Sequence, residues 1–222
     1  MTADVNPRRR YNSTTRQEQA RRTRSAIIEA AHHLFLTDGF ARTTMPAVAA
    51  AAGVAVQTVY KAFASKPRLA KAVFDTAIAG DDDTAPMLER EALKKVRDEP
   101  DPFVMFRLYG EFLATVAPRH VPVQLVIRDA AATDPDARAV WAELQAERLT
   151  GMTIFATTLD DRGHLRAGLT IDQARDTLWT YNSAEIYQLL VVERGWTPQN
   201  YGRWVADALV AALLQPPRPA RT

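Results

Sequence analysis

The sequence predicts an all-α protein, with a small N-terminal domain carrying a helix-turn-helix and a larger helical domain behind it. Three observations predict this. Apolar residues recur at helical spacing through most of the 222 residues, and no alternating run is long enough for a sheet. Prolines and glycines fall where such helices would begin and end. The stretch 43–66, TTMPAVAAAAGVAVQTVYKAFASK, reads as two short helices joined by a tight turn at Gly53.

The elements follow in order. Residues 1–16 are polar and carry Arg8, Arg9, Arg10 and Arg16. They read as a flexible basic arm, lying along phosphates or in a minor groove, or equally as an ordinary solvated terminus. Residues 17–38 form an amphipathic helix with the apolar stripe Ile27, Ile28, Ala31, Leu34 and Phe35. Thr43 and Thr44 offer hydroxyls for a helix N-terminus, and Pro46 fits its first turn, where a missing N–H costs nothing. Gly53 ends that helix because it accepts the left-handed turn. A second short helix spans 56–63, with Val56, Val59 and Phe63 facing inward. Residues 66–79 form a fourth helix, and Gly80 with three aspartates at 81–83 marks a solvated linker and the domain boundary. Beyond it, helices are expected over 86–98, 102–116, 121–132, 135–160, 172–193 and 198–214. Pro118 and Pro122 bracket a break, and Asp172 caps the helix it begins. Pro216, Pro217 and Pro219 end all structure, leaving 216–222 as a disordered tail.

A helix-turn-helix of this layout places its second helix in the DNA major groove. The outer face of 56–63 presents Gln57, Thr58, Tyr60, Lys61 and Ala62, which can reach base edges and phosphates. A glutamine amide pairs best with adenine, so Gln57 would read a base. Tyr60, Thr44, Lys61 and Lys66 would hold phosphates and fix register. Arg24, with Arg21 and Arg22, lies in the first turns of the 17–38 helix, within reach of phosphates. Thr43, Val56 and Thr58 complete the expected contact set.

Charge is divided to match. Residues 1–80 carry 12 basic and 5 acidic side chains, a balance of +7; the remainder carries 16 and 21, a balance of −5. The first domain therefore suits a polyanion and the second does not. Without cysteine there is no disulfide framework, thiol nucleophile or cysteine-ligated zinc. No apolar run approaches the roughly 20 residues of a membrane span, and the start has no signal-peptide core, so a cytoplasmic protein without a membrane partner is expected. His32, His33, His120 and His164 show no metal-ligand spacing, and no nucleophile elbow, P-loop or dinucleotide fingerprint occurs. No enzyme activity, cofactor or metal is expected.

The N-terminal third resembles the DNA-binding domain of the TetR (TetR/AcrR) transcriptional regulators. The resemblance is carried by Phe35, Gly39 and Phe40, by Thr43 and Thr44, and by the Ala-x-x-Ala-Gly-Val turn at 49–54. It continues through Thr58, Val59, Tyr60 and Phe63 to Lys66 and Leu69. Ala62 stands where that family usually has an aromatic or histidine, and Pro67 where an acidic residue is common. The resemblance implies a DNA-binding domain at 17–80 and an effector-binding and dimerisation domain at 81–215. It implies a homodimer, paired through the two C-terminal helices at about 172–214 in a twofold four-helix bundle. The partner would be a double-stranded operator with inverted half-sites at fixed spacing, bound by a repressor. A small apolar effector would release it by favouring another spacing of the two heads, with the 66–79 helix as lever.

Phe103, Phe106, Tyr109, Phe112, Phe155 and Trp179 are candidates for the effector pocket, with Arg128, Asn182 and Glu185 as possible polar anchors. The same stripes also read as plain core. A nonspecific architectural DNA-binding protein, steeply salt-dependent but without a preferred sequence, is the alternative. A helical enzyme or small-molecule carrier with a DNA head is a third reading, which no catalytic constellation supports.

Overall fold

Capping chemistry sets most of the helix ends in the computed structural model, which describes residues 7–80 and 90–215, with side chains from residue 16. The first helix, α1, runs Pro7–Arg42. Its backbone is thus helical ten residues before the start expected at 17. No glycine or proline interrupts the chain between Pro7 and Gly39, and proline itself suits a first turn. At Gly39 (φ 81°, ψ 166°) the backbone leaves the helix, and a last turn carries Phe40 back to stack on Phe35, ring centroids 5.6 Å apart. Thr44 caps α2 (Met45–Ala51) by accepting from the Ala47 N–H at 3.2 Å. Gly53 (φ 65°) turns the chain into α3 (Val56–Phe63). Ala64 then adopts φ 59°, with the Ser65 N–H on the Phe63 carbonyl at 2.6 Å. This is a γ-turn of the strained hand, costing on the order of 1–3 kcal/mol. Ser65 caps α4 (Lys66–Ala79), which closes on Gly80 in the left-handed conformation.

The larger domain begins with α5 (Glu91–Asp98) and α6 (Pro102–Ala131). The break expected at Pro118 and Pro122 does not occur: α6 passes through both. Proline forfeits one helical hydrogen bond and crowds the preceding turn. Here Leu113, Val116, Ala117, Val121, Val123 and Ile127 are buried along the same helix, and their packing outweighs that loss. Pro118 is exposed and Pro122 half-buried, so the two weakened turns lie toward solvent, where carbonyls can take water. α7 spans Pro135–Asp161, capped by Asp134.

Two further details depart from expectation. Thr170, not Asp172, caps α8 (Ile171–Tyr181), in a capping box with Gln173. The helix expected to reach residue 193 stops at Asn182. Ser183 caps a new start by accepting from the Ile186 N–H, giving α9 (Ala184–Tyr187) and a π-helical turn, Gln188–Glu193. α10 (Pro198–Leu213) starts from Thr197. Among the described residues no strand forms; an isolated bridge joins Leu165 to Leu214. The expected linker at 81–83, the start of the 86–98 helix, residues 1–6 and the tail 216–222 lie outside the described residues.

α6 is the central element and packs on α1, α4, α5, α7, α9 and α10. One core gathers α1–α4 around Phe35, Phe40, Val59 and Leu69, and it also takes in Val123, Ile127 and Ala131 of α6 and Val140 and Leu144 of α7. The second core joins the other half of α6 to α8, α10 and the far end of α7. Where α6 crosses α10, Gly110 and Gly202 face each other. A Cβ on either would fall inside the van der Waals shell of the other's carbonyl oxygen.

Candidate DNA interface and ligand cavity

The apolar spacing of α3 decides what it shows. Val59 and Phe63, four apart, are buried in the first core, which leaves Gln57, Tyr60, Lys61 and Ala62 exposed on the opposite face. Tyr60 is 49% exposed. Val56 and Thr58 are half-buried at its edges, and Thr44 is exposed at the start of α2 with its hydroxyl engaged as the cap. These residues occupy one side of the head.

Three other expected contact residues sit differently. Thr43 is 2% exposed, and its hydroxyl donates to the Gly39 carbonyl at 2.9 Å, so it fixes the α1–α2 corner. Arg24 is half-buried, with its guanidinium 4.4 Å from the Phe63 ring centroid and donating to the Ala62 carbonyl at 3.4 Å. A cation at the C-terminal end of α3 also complements that helix's dipole. Lys66 turns inward: its ammonium donates to the Phe40 carbonyl at 3.2 Å, lies 4.2 Å from the Phe40 ring and 3.7 Å from Asp134. It ties α4 to the end of α1 and to the cap of α7, which is the work of a brace.

A cavity of about 390 Å³ lies in the larger domain, between α4, α5, α6 and α7. Phe74 and Ile78 of α4, Val96 of α5, Met105, Leu113 and Val116 of α6 and Met152 of α7 make its wall largely apolar. Of the residues expected there, Tyr109, Phe112, Phe155 and Asn182 line it. The others do not. Phe103 points to solvent, 42% exposed. Phe106 is fully buried behind the wall and stacks on Phe155 at 5.5 Å. Arg128 bonds Asp129, Glu185 and Gln188, which also engages Glu185 away from the cavity. Trp179 lies under Arg148, whose guanidinium is 4.2 Å from its ring centroid.

The break at Asn182 explains the position of Arg148. A helix end leaves carbonyls without partners. Arg148 fills those of Trp179 and Asn182, at 2.5 and 3.1 Å, while its other nitrogens hold the Gln145 side chain. Most other polar side chains of the wall are engaged as well. Asp75 and Glu147 pair with Lys71 at 2.6 and 3.0 Å. Thr150 and Thr158 bond their own helix. The Tyr109 hydroxyl and the Asn182 amide both reach the Met152 sulfur at 3.7 Å. Burial and the nearby Tyr201 raise the Tyr109 pKa, so its phenol stays neutral.

Sequence reasoning missed most of the wall, and two of the missed residues are polar and buried. His120 and Gln124 are 7% and 4% exposed, one turn apart on α6. Their signal was legible as polar residues four apart on the buried stripe of Leu113, Val116 and Ala117.

Comparison with known proteins agrees with the geometry of the head. Residues 27–73 match the family described as bacterial regulatory proteins, tetR family. Over 173 residues the chain is 28% identical to the probable HTH-type transcriptional regulator ArpR of Pseudomonas putida, spanning 74% of this chain and 79% of that protein. Among solved structures it is similar to NalD of Pseudomonas aeruginosa, the secondary repressor of the MexAB-OprM multidrug efflux pump. The TM-score is 0.71 with 19% identity, over 89% of this chain and 98% of that one. It is also similar to FadR from Bacillus subtilis in complex with stearoyl-CoA, at a TM-score of 0.66 and 19% identity, over 84% and 97% of the two chains. Among the described residues no helix is long and apolar enough to cross a membrane.

Proposed function

Because the chain belongs to the TetR family of DNA-binding transcriptional regulators, we propose that it is a dimeric repressor that leaves an inverted-repeat operator when a small molecule fills the cavity. One observation carries this reading: α4 belongs to both sites. It starts at the exit of the helix-turn-helix with Lys66, and its Phe74, Asp75 and Ile78 line the cavity about two to three turns further on. A ligand that favours one placement of α4 over another shifts the head by linkage alone. The ligand complex of FadR supports an effector role for the cavity, and the repressor named NalD supports the sign of regulation.

In each protomer α3 enters the major groove. Gln57 reads a base edge, and Tyr60, Lys61 and Thr44 position the helix on the phosphates. The dimer pairs through α8–α10. Much of the apolar face of α10, including Val205, Leu209 and Leu213, is already buried within the protomer. The apolar surface left over is on the π-helical turn, where Leu189 and Val192 are 50% and 64% exposed. This surface supports a twofold contact.

The test is retention of pooled genomic fragments by the purified protein at near-physiological salt. A few fragments held by a dimer, and released by effector, would support the reading. Equal retention of all fragments would favour the nonspecific architectural alternative.

A further inference from the structure

The cavity's polar side chains differ in one respect. Asp75, Glu147, Arg148, Asn182 and Tyr109 each have a partner within the protein, as described above. Among the described residues nothing bonds the side-chain amide of Gln124 or the Nε2 of His120, although both residues are more than nine-tenths buried and border the cavity. These polar atoms open onto the cavity, so their hydrogen-bond partner comes from whatever fills it.

The chemistry of that partner follows from His120. Its Nδ1 lies 2.9 Å from the Val116 carbonyl oxygen, which can only accept. Nδ1 therefore carries the proton. Burial holds the ring's pKa down at about 4, so the ring is neutral and Nε2 offers a lone pair. Gln124, one turn along the same face, adds a donor and an acceptor. A carboxylate would set its own lone pairs against Nε2, and the donors of Arg148 are already committed. The wall's carboxylates, Asp75 and Glu147, are held by Lys71, and Arg97 and Arg148 also line it, so a cation finds no free counter-charge.

We propose that the cavity takes an uncharged, mostly aromatic ligand bearing a hydroxyl, which donates to Nε2 of His120 and exchanges a hydrogen bond with the Gln124 amide. Phe74, Phe112 and Phe155 supply ring faces for its apolar body. The proposal rests on the reading of the cavity as an effector site and names that effector's chemical class.

The test uses the full chain and three matched probes in calorimetry at neutral pH: para-phenylphenol, its methyl ether and para-phenylbenzoate. The phenol should bind roughly tenfold tighter than the ether, which can accept but not donate, and tighter still than the anion. His120→Phe keeps the ring's volume and should bring phenol and ether to equal affinity. Gln124→Met should weaken the phenol more than the ether, which can only accept from the amide. The proposal is overturned if phenol and ether bind wild-type protein equally, if the anion binds best, or if none of the three binds the folded protein. The wild-type comparison stands even if a variant fails to fold. Retention of genomic fragments, measured on the same preparation without probe, decides the regulator reading separately.

Discussion

Tyr60 stands on the exposed face of α3 and is packed on one side only, so its loss should affect binding without affecting folding. Tyr60→Ala is expected to weaken fragment binding about tenfold in fluorescence anisotropy, with an unchanged melting temperature. Unaltered affinity would remove it from the interface. Lys66 has the opposite profile. The sequence marks it as a phosphate contact, yet a carbonyl, a ring and a carboxylate hold it inside. Lys66→Met should therefore lower unfolding free energy by about 1–2 kcal/mol in urea and leave the salt dependence of DNA binding nearly intact. Unchanged stability with a shallower salt slope would return it to the phosphates. The pocket shows the same limit of reading. Periodicity put Phe103 and Phe106 on one apolar stripe, but it does not distinguish a residue beside empty space from one behind it.

His120 also makes a pH prediction. Its folded-state pKa is held near 4 by burial, below the ordinary 6.5, so the unfolded chain takes up the proton first as pH falls. This contribution is complete above about pH 6.5 and is lost toward about pH 4, by on the order of 3 kcal/mol. The loss of stability between about pH 7 and about pH 4 should be smaller in His120→Phe by that amount. Equal losses in wild type and variant would show that His120 is protonated as readily folded as unfolded.

Among the elements, the helix-turn-helix was almost wholly legible, because its determinants are local. Thr44 caps, Pro46 begins, Gly53 turns, and the four-residue spacing of Val59 and Phe63 orients α3. α6 was not legible as one helix. Pro118 and Pro122 act locally, whereas the burial that carries the helix through them comes from α4, α7 and α10, distant in sequence. The break at Asn182 was hidden for a related reason. Ser183 reads as an ordinary mid-helix residue until Arg148, more than thirty residues earlier, is seen to hold the freed carbonyls. The crossing of α6 and α10 was likewise invisible, since Gly110 and Gly202 look like poor helix residues rather than a contact. Gly110→Ala should destabilise the protein by about 2–3 kcal/mol in chemical denaturation, as the helices are pushed apart. An exposed helical glycine would instead gain stability from the same change.

At the scale of the whole molecule, charge and packing divide the chain differently. The charge balance changes sign near residue 80, which matches the expected head and body. The first apolar core does not stop there, since Val123, Ile127, Val140 and Leu144 pack among the head's residues. Lys66, Arg68 and Lys71 of α4 pair in turn with Asp134, Glu143 and Glu147 along α7. Head and body thus share a packed seam between α4 and α7. The pattern of apolar spacing reveals such stripes but not which helix covers them, so the seam was beyond the sequence. We propose that two copies of α3 read a twofold DNA sequence. The most direct test is selection of the purified protein against random duplex DNA at near-physiological salt, with sequencing after several rounds. An enriched inverted repeat with one fixed half-site spacing is expected. Folded, dimeric protein that enriches no sequence would contradict it.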